Sequence, residues 1–312
     1  MNVMVILAFA GSILAATWRM ATPLIYSAVG EVFSERSGVI NLGLEGIMLL
    51  GAFAAYTVTF YSGNLLLGVL AALITGLILG LIFAFFAVTV KANQIVIGTA
   101  FNLAGSGISG FLFRSIFLNS NYPSLKIPSF NDIEIPFLSG IPFFGEVLFH
   151  HNILVYLTIP LVPLASFVLY KTAFGLTVRS VGEHPKAADT MGINVNRMRY
   201  ICVMLGSTLT ALGGATLTLA FANQFVEDMV SGRGFIALAA VVFGGWAPWG
   251  ATIASILFGV FYALQLRVQA MNNVLLPYQV LQVLPYVATI LALISIRRRA
   301  ASPKALGVPY RS

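Results

Sequence analysis

Residues 34–55 read SERSGVINLGLEGIMLLGAFAA, a charged cluster followed at once by an apolar segment that still carries Asn41 and Glu45. A spacing of four predicts that these two side chains share one face of a helix. A carboxylate at membrane depth costs roughly 2.5 to 3.5 kcal/mol unless it faces protein or water. This face is therefore predicted to point inward, toward neighbouring helices or a transport pathway.

The composition indicates a membrane protein. The chain has 312 residues, of which 59% are hydrophobic and 9% charged, and its mean hydropathy is +0.93. A membrane-spanning helix needs about 20 predominantly apolar residues. We predict an all-α polytopic membrane protein with about nine spans, eight to ten being compatible with the sequence, near residues 3–29, 39–61, 65–90, 95–118, 152–170, 200–222, 230–246, 249–268 and 279–296.

The distribution of basic residues predicts the topology. They cluster in alternate connections, which the positive-inside rule assigns to the cytoplasm, around Arg19 and Arg36, at Lys91, in the loop 171–199 and in the tail 297–312. The N-terminus is then outside, the C-terminus is cytoplasmic, and the connection 119–151 is extracytoplasmic. The segment 230–246 is short enough for a half helix or a re-entrant segment, but counting it as a crossing keeps the run Arg297–Arg299 inside.

The sequence contains few groups that could carry out chemistry. It has no G-x-x-x-x-G-K-[ST] loop, so we expect that the chain does not hydrolyse ATP. Its single cysteine, Cys202, and its scattered histidines do not form a metal-binding pattern. We therefore predict no catalytic residue, no metal site and no cofactor bound by this chain. The net charge of +7 is explained by topology and anionic lipids rather than by nucleic acid.

The loop 171–199 is the second informative segment, because it contains a helix of its own. Pro185 suits the first helical position and Gly192 suits the left-handed residue after the helix. A helix of roughly seven residues is marginal alone in water. We expect it to dock, either on the chain's own membrane domain or on a cytosolic partner.

Three motifs carry a resemblance to a known family. The segment GEHPKAADTMGINV at 182–195 resembles the coupling helix of ABC importer permeases for branched-chain amino acids, simple sugars and nucleosides. The segments 34–53 and 232–250 resemble two further signatures of that family. The tail PKALGVPY at 303–310 and the overall length are most similar to the shorter of two permeases in nucleoside uptake systems.

The resemblance implies a type II ABC importer permease fold for residues 1–312, in a bacterial inner membrane. It also implies three partners: an ATP-binding subunit that uses ATP and Mg²⁺, a second permease that is either a different chain or a second copy of this one, and an extracytoplasmic substrate-binding protein. Residues 183–192 would form the coupling helix. Its candidate contacts with the ATPase are Glu183, His184, Pro185, Lys186, Ala187, Ala188, Asp189 and Gly192.

Polar residues within predicted spans are candidates for the substrate pathway, because neutral amides bind hydroxyls and ring nitrogens without trapping a ligand. The alternative role is hydrogen bonding between helices. The candidates are Asn41, Glu45, Asn102, Asn223, Gln224, Gln265 and Gln282.

Other functions remain open at this level. An ion-coupled secondary transporter would usually carry more intramembrane carboxylates than Glu45 alone. A membrane-embedded transferase would need clustered acidic or basic groups at one interface. Within the permease class, nucleosides are the first expectation for the substrate, followed by simple sugars, riboflavin-like compounds and branched-chain amino acids.

Overall fold

The computed structural model describes residues 3–118, 122, 124–134, 149–269, 283, 287 and 302–310. Within these ranges the chain is almost entirely helical, with one two-residue strand pair in the connection between the fourth and fifth helices. The predicted span 279–296 and the candidate Gln282 lie outside the described residues.

The described residues form eleven α-helices and two short strands. Three helices continue directly into a π-helical turn, at Phe85–Thr89, Arg114–Leu118 and Leu217–Ala222. The elements are α1 Val3–Arg36, α2 Leu44–Ser62, α3 Leu65–Ala84, α4 Gln94–Phe113, β1 Ile133–Glu134, β2 His150–His151, α5 Ile153–Tyr156, α6 Thr158–Lys171, α7 Ala173–Glu183, α8 Pro185–Thr190, α9 Val195–Thr216, α10 Arg233–Phe243 and α11 Pro248–Gln269.

Six continuous helical segments among the described residues are long and apolar enough to cross a membrane. They match six of the predicted spans to within a few residues: Leu44–Ser62, Leu65–Thr89, Gln94–Leu118, Ile153–Lys171, Val195–Ala222 and Pro248–Gln269. Helix α1 is longer, at 34 residues, but it carries Arg19, Glu31, Glu35 and Arg36 and is outside that set.

The centre of the bundle is formed by α9, which packs between α1, α2 and α3. Glycines allow this close approach: a Cβ at Gly214 would lie 1.9 Å from the carbonyl oxygen of Met48, and one at Gly30 would lie 2.8 Å from that of Gly206. Removing the side chain lets two backbones touch, which is how membrane helices gain packing energy. Helix α3 lies at the periphery, and one of its faces is exposed and aliphatic.

The two ends of the bundle are distinguished by their contacts. At one end, called the basic end, Arg36, Gly182, Arg199 and the tail 302–310 meet. At the opposite end, called the distal end, the connection after α4 contacts the end of the π-helical turn that follows α9, where the N–H of Ile127 donates to the carbonyl oxygen of Asn223 over 2.9 Å. The predicted cytoplasmic loop and tail thus share one end, as the charge pattern requires.

The predicted span 39–61 is wrong at its start. Helix α2 begins at Leu44, and residues 37–43 form turns and extended backbone. The amide of Asn41 lies 3.3 Å from Ser207, near the middle of α9, so α2 starts at about mid-membrane depth. Asn41 precedes the helix and does not share a helical face with Glu45.

The predicted crossing at 230–246 is also wrong as a continuous span. Helix α10 has only 11 residues, about 16 Å of rise, which is roughly half of the ~30 Å hydrocarbon core. It runs from the middle of the bundle, beside Glu45, to the basic end, where Trp246 contacts Glu35. The turns at 223–232 connect the distal end to the start of α10, so the crossing is half helix and half irregular backbone.

The predicted loop 171–199 is mostly helical. Helices α7 and α8 occupy its centre, and α9 begins at Val195, five residues before the predicted span. Arg199, counted among the loop cations, therefore lies in the first turns of α9 and is 1% exposed.

Candidate functional site

Glu45 connects two helices that begin at mid-depth. It lies in the first turn of α2, and its carboxylate accepts hydrogen bonds from the backbone N–H groups of Gly232 and Gly234, both at 2.7 Å. These donors belong to the N-terminus of α10, where backbone N–H groups have no partner within the helix and the helix dipole favours a negative charge. Glu45 thus caps the N-terminus of α10 from a different helix, through hydrogen bonds from two backbone N–H groups.

Gly234 allows this approach. A Cβ at residue 234 would lie 2.4 Å from the backbone nitrogen of Glu45 and 2.9 Å from a carboxylate oxygen. Gly232 has φ +79°, a left-handed conformation that favours glycine. The two glycines of the sequence G-R-G at 232–234 therefore let the backbone of α10 come close enough to hydrogen-bond to Glu45.

Asn102 and Asn41 hold the start of α2 in a similar way. The Asn102 amide accepts from the N–H of Gly46 and donates to the carbonyl oxygen of Leu42, each over 2.9 Å. The Asn41 side chain accepts from the N–H of Gly43 over 3.0 Å, and its backbone N–H donates to buried Glu31 over 2.8 Å. Both amides are engaged in capping, which favours the interhelical alternative over direct substrate contact.

The other pathway candidates that the structure describes do not join this group. Asn223 is left-handed at the distal end, with φ +55°, and Gln224 beside it is exposed. Gln265 lies near the end of α11. The structure therefore brings together Asn41, Glu45 and Asn102 but separates them from Asn223, Gln224 and Gln265.

A cleft of about 270 Å³ opens between α1, α11 and the turns after α9. Its lining is mostly apolar, with Phe221, Met229 and Leu266 among the residues, and Arg233 is its one charged residue. The Arg233 guanidinium lies over the Tyr262 ring at 4.9 Å and donates to the carbonyl oxygen of Met229 over 2.9 Å. The Arg233 side chain is thus oriented by the carbonyl oxygen of Met229 and by the Tyr262 ring.

A charged cluster at the basic end fixes the turn after α10. The Glu35 carboxylate accepts from the Trp246 indole N–H, and Arg36 donates to the carbonyl oxygens of Trp246, over 2.7 Å, and of Gly245, over 3.3 Å. Trp246 has φ +54°, so this turn needs such support. Glu35 and Arg36 therefore tie the end of α1 to the end of the half helix α10.

Helix α8 has the features predicted for the coupling segment. Pro185 is its first residue and Gly192 follows it with φ +81°. Ala188 is 4% exposed and packs with Val181 and Val195, while the other side of the segment is open to solvent. The exposed residues on that side are His184, Lys186, Ala187, Asp189, Thr190, Met191 and Gly192, and Glu183 and Pro185 are half-buried.

The tail packs against α8 and α9. The N–H of Ala305 donates to the carbonyl oxygen of Gly182 over 2.9 Å, and the Arg199 guanidinium donates to the carbonyl oxygens of Ser37, over 3.2 Å, and of Val308, over 3.0 Å. The Tyr310 hydroxyl donates to the Asp189 carboxylate over 2.8 Å, and this hydrogen bond raises the pKa of Tyr310. The tail is thus attached directly to the predicted coupling helix.

Comparison with known proteins identifies the family. The family model described as the permease component of the branched-chain amino acid transport system matches residues 5–293. The chain belongs to this permease family.

Three relatives are similar over nearly their whole length. The permease is 42% identical to the guanosine ABC transporter permease protein NupQ of Bacillus subtilis, over 96% of each chain. It is 38% identical to the nucleoside ABC transporter permease protein NupC of Lactococcus lactis, over 93% of each. It is 36% identical, over 92% of each, to TsgC13 of Haloferax volcanii, a candidate glucose ABC transporter permease protein. The permease is therefore a multi-pass membrane transport subunit.

Sequence reasoning missed several residues of the permease that the structure makes prominent. Met191 is 81% exposed beside α8, Arg199 is buried under the tail, and Asp228 hydrogen-bonds to Ser106 in α4. Met191 could have been noticed in the sequence, because it is an apolar residue within a polar loop. No sequence pattern indicates the position of Asp228, since its depth in the membrane follows from the irregular backbone before α10.

Within the part of the permease that the structure describes, no group of three His, Cys, Asp or Glu residues could hold a metal ion.

Proposed function

We propose that this chain is the transmembrane subunit of an ATP-driven importer for nucleosides. The observation that carries the proposal is its 42% identity, over 96% of both chains, to a permease named for guanosine. The second nucleoside-named relative, at 38% identity, supports the same substrate class.

The coupling step is assigned to α8 and its flanks, residues 183–192. Ala188 anchors the helix to the permease itself, which leaves Lys186, Ala187 and Met191 free to enter a groove on an ATPase. An exposed methionine outside the membrane-spanning segments suits such a contact, because methionine adapts its shape to an apolar pocket. Lys186 and Asp189 supply charges at the rim of that contact.

Three partners complete the proposed importer: an ATP-binding subunit, a second permease and an extracytoplasmic binding protein. The ATPase would hold ATP and Mg²⁺, since this sequence has no phosphate-binding loop. Closure of the ATPases would shift the permeases between outward-open and inward-open states, a population shift driven by nucleotide. The basic end, with α8 and the tail, is assigned to the cytoplasm by its positive charge.

Simple sugars are the second candidate class. The observation that favours them is the 36% identity to the candidate glucose permease over 92% of each chain. A nucleoside contains a sugar, so the two classes share hydroxyl groups and differ in the aromatic base. Competition between guanosine and glucose for uptake separates them.

The first test is a mild-detergent pull-down of the chain from its native membrane, followed by mass spectrometry. Recovery of an ATP-binding subunit together with a second permease supports the importer. A chain that is recovered alone, even after crosslinking, contradicts it and favours an ion-coupled secondary transporter.

A further inference from the structure

An exposed polar strip runs along α4 from mid-depth toward the distal end. It comprises Ser106, Gly107 and Phe111 of α4, Arg114 of the π-helical turn that follows, and Glu227 and Asp228 from the turns before α10; Ser106 and Glu227 are half-buried and the other four are exposed. The Ser106 hydroxyl donates to the Asp228 carboxylate over 2.6 Å. Arg114 and Glu227 form an ion pair at 3.6 Å, with side chains 61% and 37% exposed.

The strip begins at membrane depth, so the exposure of its polar side chains indicates whether lipid, water or protein surrounds them. Ser106 is at the midpoint of the 25-residue segment Gln94–Leu118, about 18 Å from either end at 1.5 Å per residue. Asp228 bonds to it and is exposed, so an acidic side chain lies near mid-depth on an open face. Such a group is rare in contact with lipid, and it ordinarily faces a water-filled cavity or protein.

The backbone at 223–232 supports the same conclusion independently. These residues form turns, with left-handed φ values of +54° at Asp228 and +49° at Ser231. Irregular backbone at membrane depth is tolerated where it is buried in protein or lines water, because lipid cannot satisfy its polar groups. Gln224, Val226, Asp228 and Ser231 are exposed, so protein of this chain does not bury this segment completely.

Helix α3 shows what a lipid-facing surface of this chain is like. Its exposed face is a continuous aliphatic row that includes Leu66, Leu70, Ile74, Leu77 and Leu81. The exposed side of α4 and of the turn after it includes Leu103, but unlike α3 it also carries glycine, aromatic and charged residues, namely Gly107, Phe111 and Arg114. The two faces are therefore adapted to different surroundings.

We propose that the strip lines the hydrated translocation pathway and binds the transported solute. The Asp228 and Glu227 carboxylates accept hydrogen bonds from hydroxyl and ring N–H donors. Phe111, which is 66% exposed on the same face, stacks on a flat ring. A small neutral solute with hydroxyls and an aromatic base matches this combination. This assignment of the site rests on the proposed function.

Cysteine labelling in the assembled importer tests the strip. A Cβ at Gly107 meets nothing within 4 Å, so Gly107→Cys places a thiol on the strip without a clash inside the chain. Leu77→Cys, near the middle of α3, is the matched control on the aliphatic face. Cys202, the chain's only native cysteine, is buried and gives the background. The probe is a charged, membrane-impermeant methanethiosulfonate reagent, which reacts with thiols in water.

We expect Gly107→Cys to label at least about tenfold faster than Leu77→Cys, and guanosine to slow only the former. Equal, background-level labelling at both positions contradicts the strip as a water-lined pathway. Labelling of Gly107→Cys that appears only after the permeases are dissociated also contradicts it, because the face is then a dry interface with the second permease.

A charge-neutral variant tests the binding role. Asparagine tolerates left-handed backbone and can still accept from Ser106, so Asp228→Asn changes mainly the charge. We expect uptake to fall at least about tenfold, because charged acceptors bind more strongly than neutral ones, while ATP hydrolysis by the complex continues. Unchanged uptake contradicts the binding role. Should the wild-type importer not carry nucleosides, the proposed substrate class fails, but the labelling difference still decides whether the strip is hydrated.

Discussion

Glu45 in the first turn of α2 accepts a hydrogen bond of 2.7 Å from the backbone N–H of Gly234 in the first turn of α10. The two helices both begin at mid-depth, and the acidic side chain of one caps the open N-terminus of the other. The second carboxylate oxygen binds the N–H of Gly232 at the same distance. This arrangement stabilises a half helix inside the membrane bundle through backbone hydrogen bonds.

Glu45→Ala removes both acceptors from the N-terminus of α10. We expect it to destabilise the chain by about 2 kcal/mol, in line with the loss of a helix cap and of buried hydrogen bonds. Glu45→Gln keeps one acceptor oxygen and should cost less. Thermal unfolding of the detergent-solubilised chain measures the difference. Thr99→Ala is the control, because the Thr99 hydroxyl bonds only to carbonyls of its own helix; equal stability of Glu45→Ala and Thr99→Ala would show that the cap is dispensable.

Ala187 and Ala188 are neighbours on α8 with opposite surroundings, the first exposed and the second buried. We expect Ala187→Glu to leave the chain folded and in the membrane while uncoupling ATP hydrolysis from uptake. Ala188→Glu should reduce the amount of folded chain, because it places a charge in an apolar contact with Val181 and Val195. Uptake, ATP hydrolysis and membrane abundance are measured for both. Normal coupling in Ala187→Glu would remove α8 from the docking surface.

Gly214 and Gly107 differ in the space beside them. Gly214→Ala would place a methyl group 1.9 Å from the carbonyl oxygen of Met48, so α2 and α9 must move apart. We expect a loss of about 1 to 3 kcal/mol, typical of overpacking. Gly107→Ala, with open space around it, should not destabilise the chain. The thermal unfolding midpoints of the two variants test this, and a lower midpoint for Gly107→Ala than for Gly214→Ala would contradict the packing of α2 on α9.

Tyr310→Phe removes the hydrogen bond between the tail and Asp189 on α8. We expect faster hydrogen exchange at the N–H groups of Ala305 and Gly307, which bond to the body of the chain. Thr190→Val is the control, because the Thr190 hydroxyl bonds within α8. Exchange rates that are the same in both variants would show that the tail is held by its other contacts alone.

The hydrogen bond between Tyr310 and Asp189 has a defined pH dependence. Hydrogen bonding to the Asp189 carboxylate raises the pKa of Tyr310, so the bond favours the protonated phenol. Its contribution is therefore fully present below the ordinary tyrosine pKa of about 10 and is lost as the pH rises through the raised value. Hydrogen exchange of the tail, corrected for its intrinsic pH dependence, should show constant protection from pH 7 to 9 and lose it only above about 10. Loss of protection between pH 7 and 9 would show that the titration of a group other than Tyr310 controls the exchange of the tail.

The sequence was sufficient to predict the class, the long spans and the short helix between Pro185 and Gly192, because apolar length and the Pro185 to Gly192 spacing are local signals. The coupling role of that helix stays a prediction. It did not predict that Asn41 lies outside α2. An apolar segment has the pattern of a helix along its whole length, so the pattern does not show where the helix begins when a distant residue supplies the cap. The cap is supplied by Asn102, 61 residues from Asn41 along the chain and adjacent only in the fold.

The site was less accessible to sequence reasoning. Glu45 was recognised as an inward-facing carboxylate, but its partners are backbone N–H groups that have no side-chain signature. Asp228 reads as a loop residue, and only its contact with Ser106 reveals its depth. Tertiary contacts between distant segments therefore determine which polar residues serve packing and which remain exposed.

We propose that the chain forms the membrane pathway of an ATP-driven nucleoside importer. The most direct measurement is uptake of radiolabelled guanosine into proteoliposomes that contain this chain, its co-purifying permease and ATPase, and the binding protein, with ATP supplied on the ATPase side. We expect ATP-dependent guanosine accumulation that unlabelled nucleosides suppress and glucose does not. Guanosine accumulation that is absent, or that proceeds without ATP in response to an ion gradient, would contradict it.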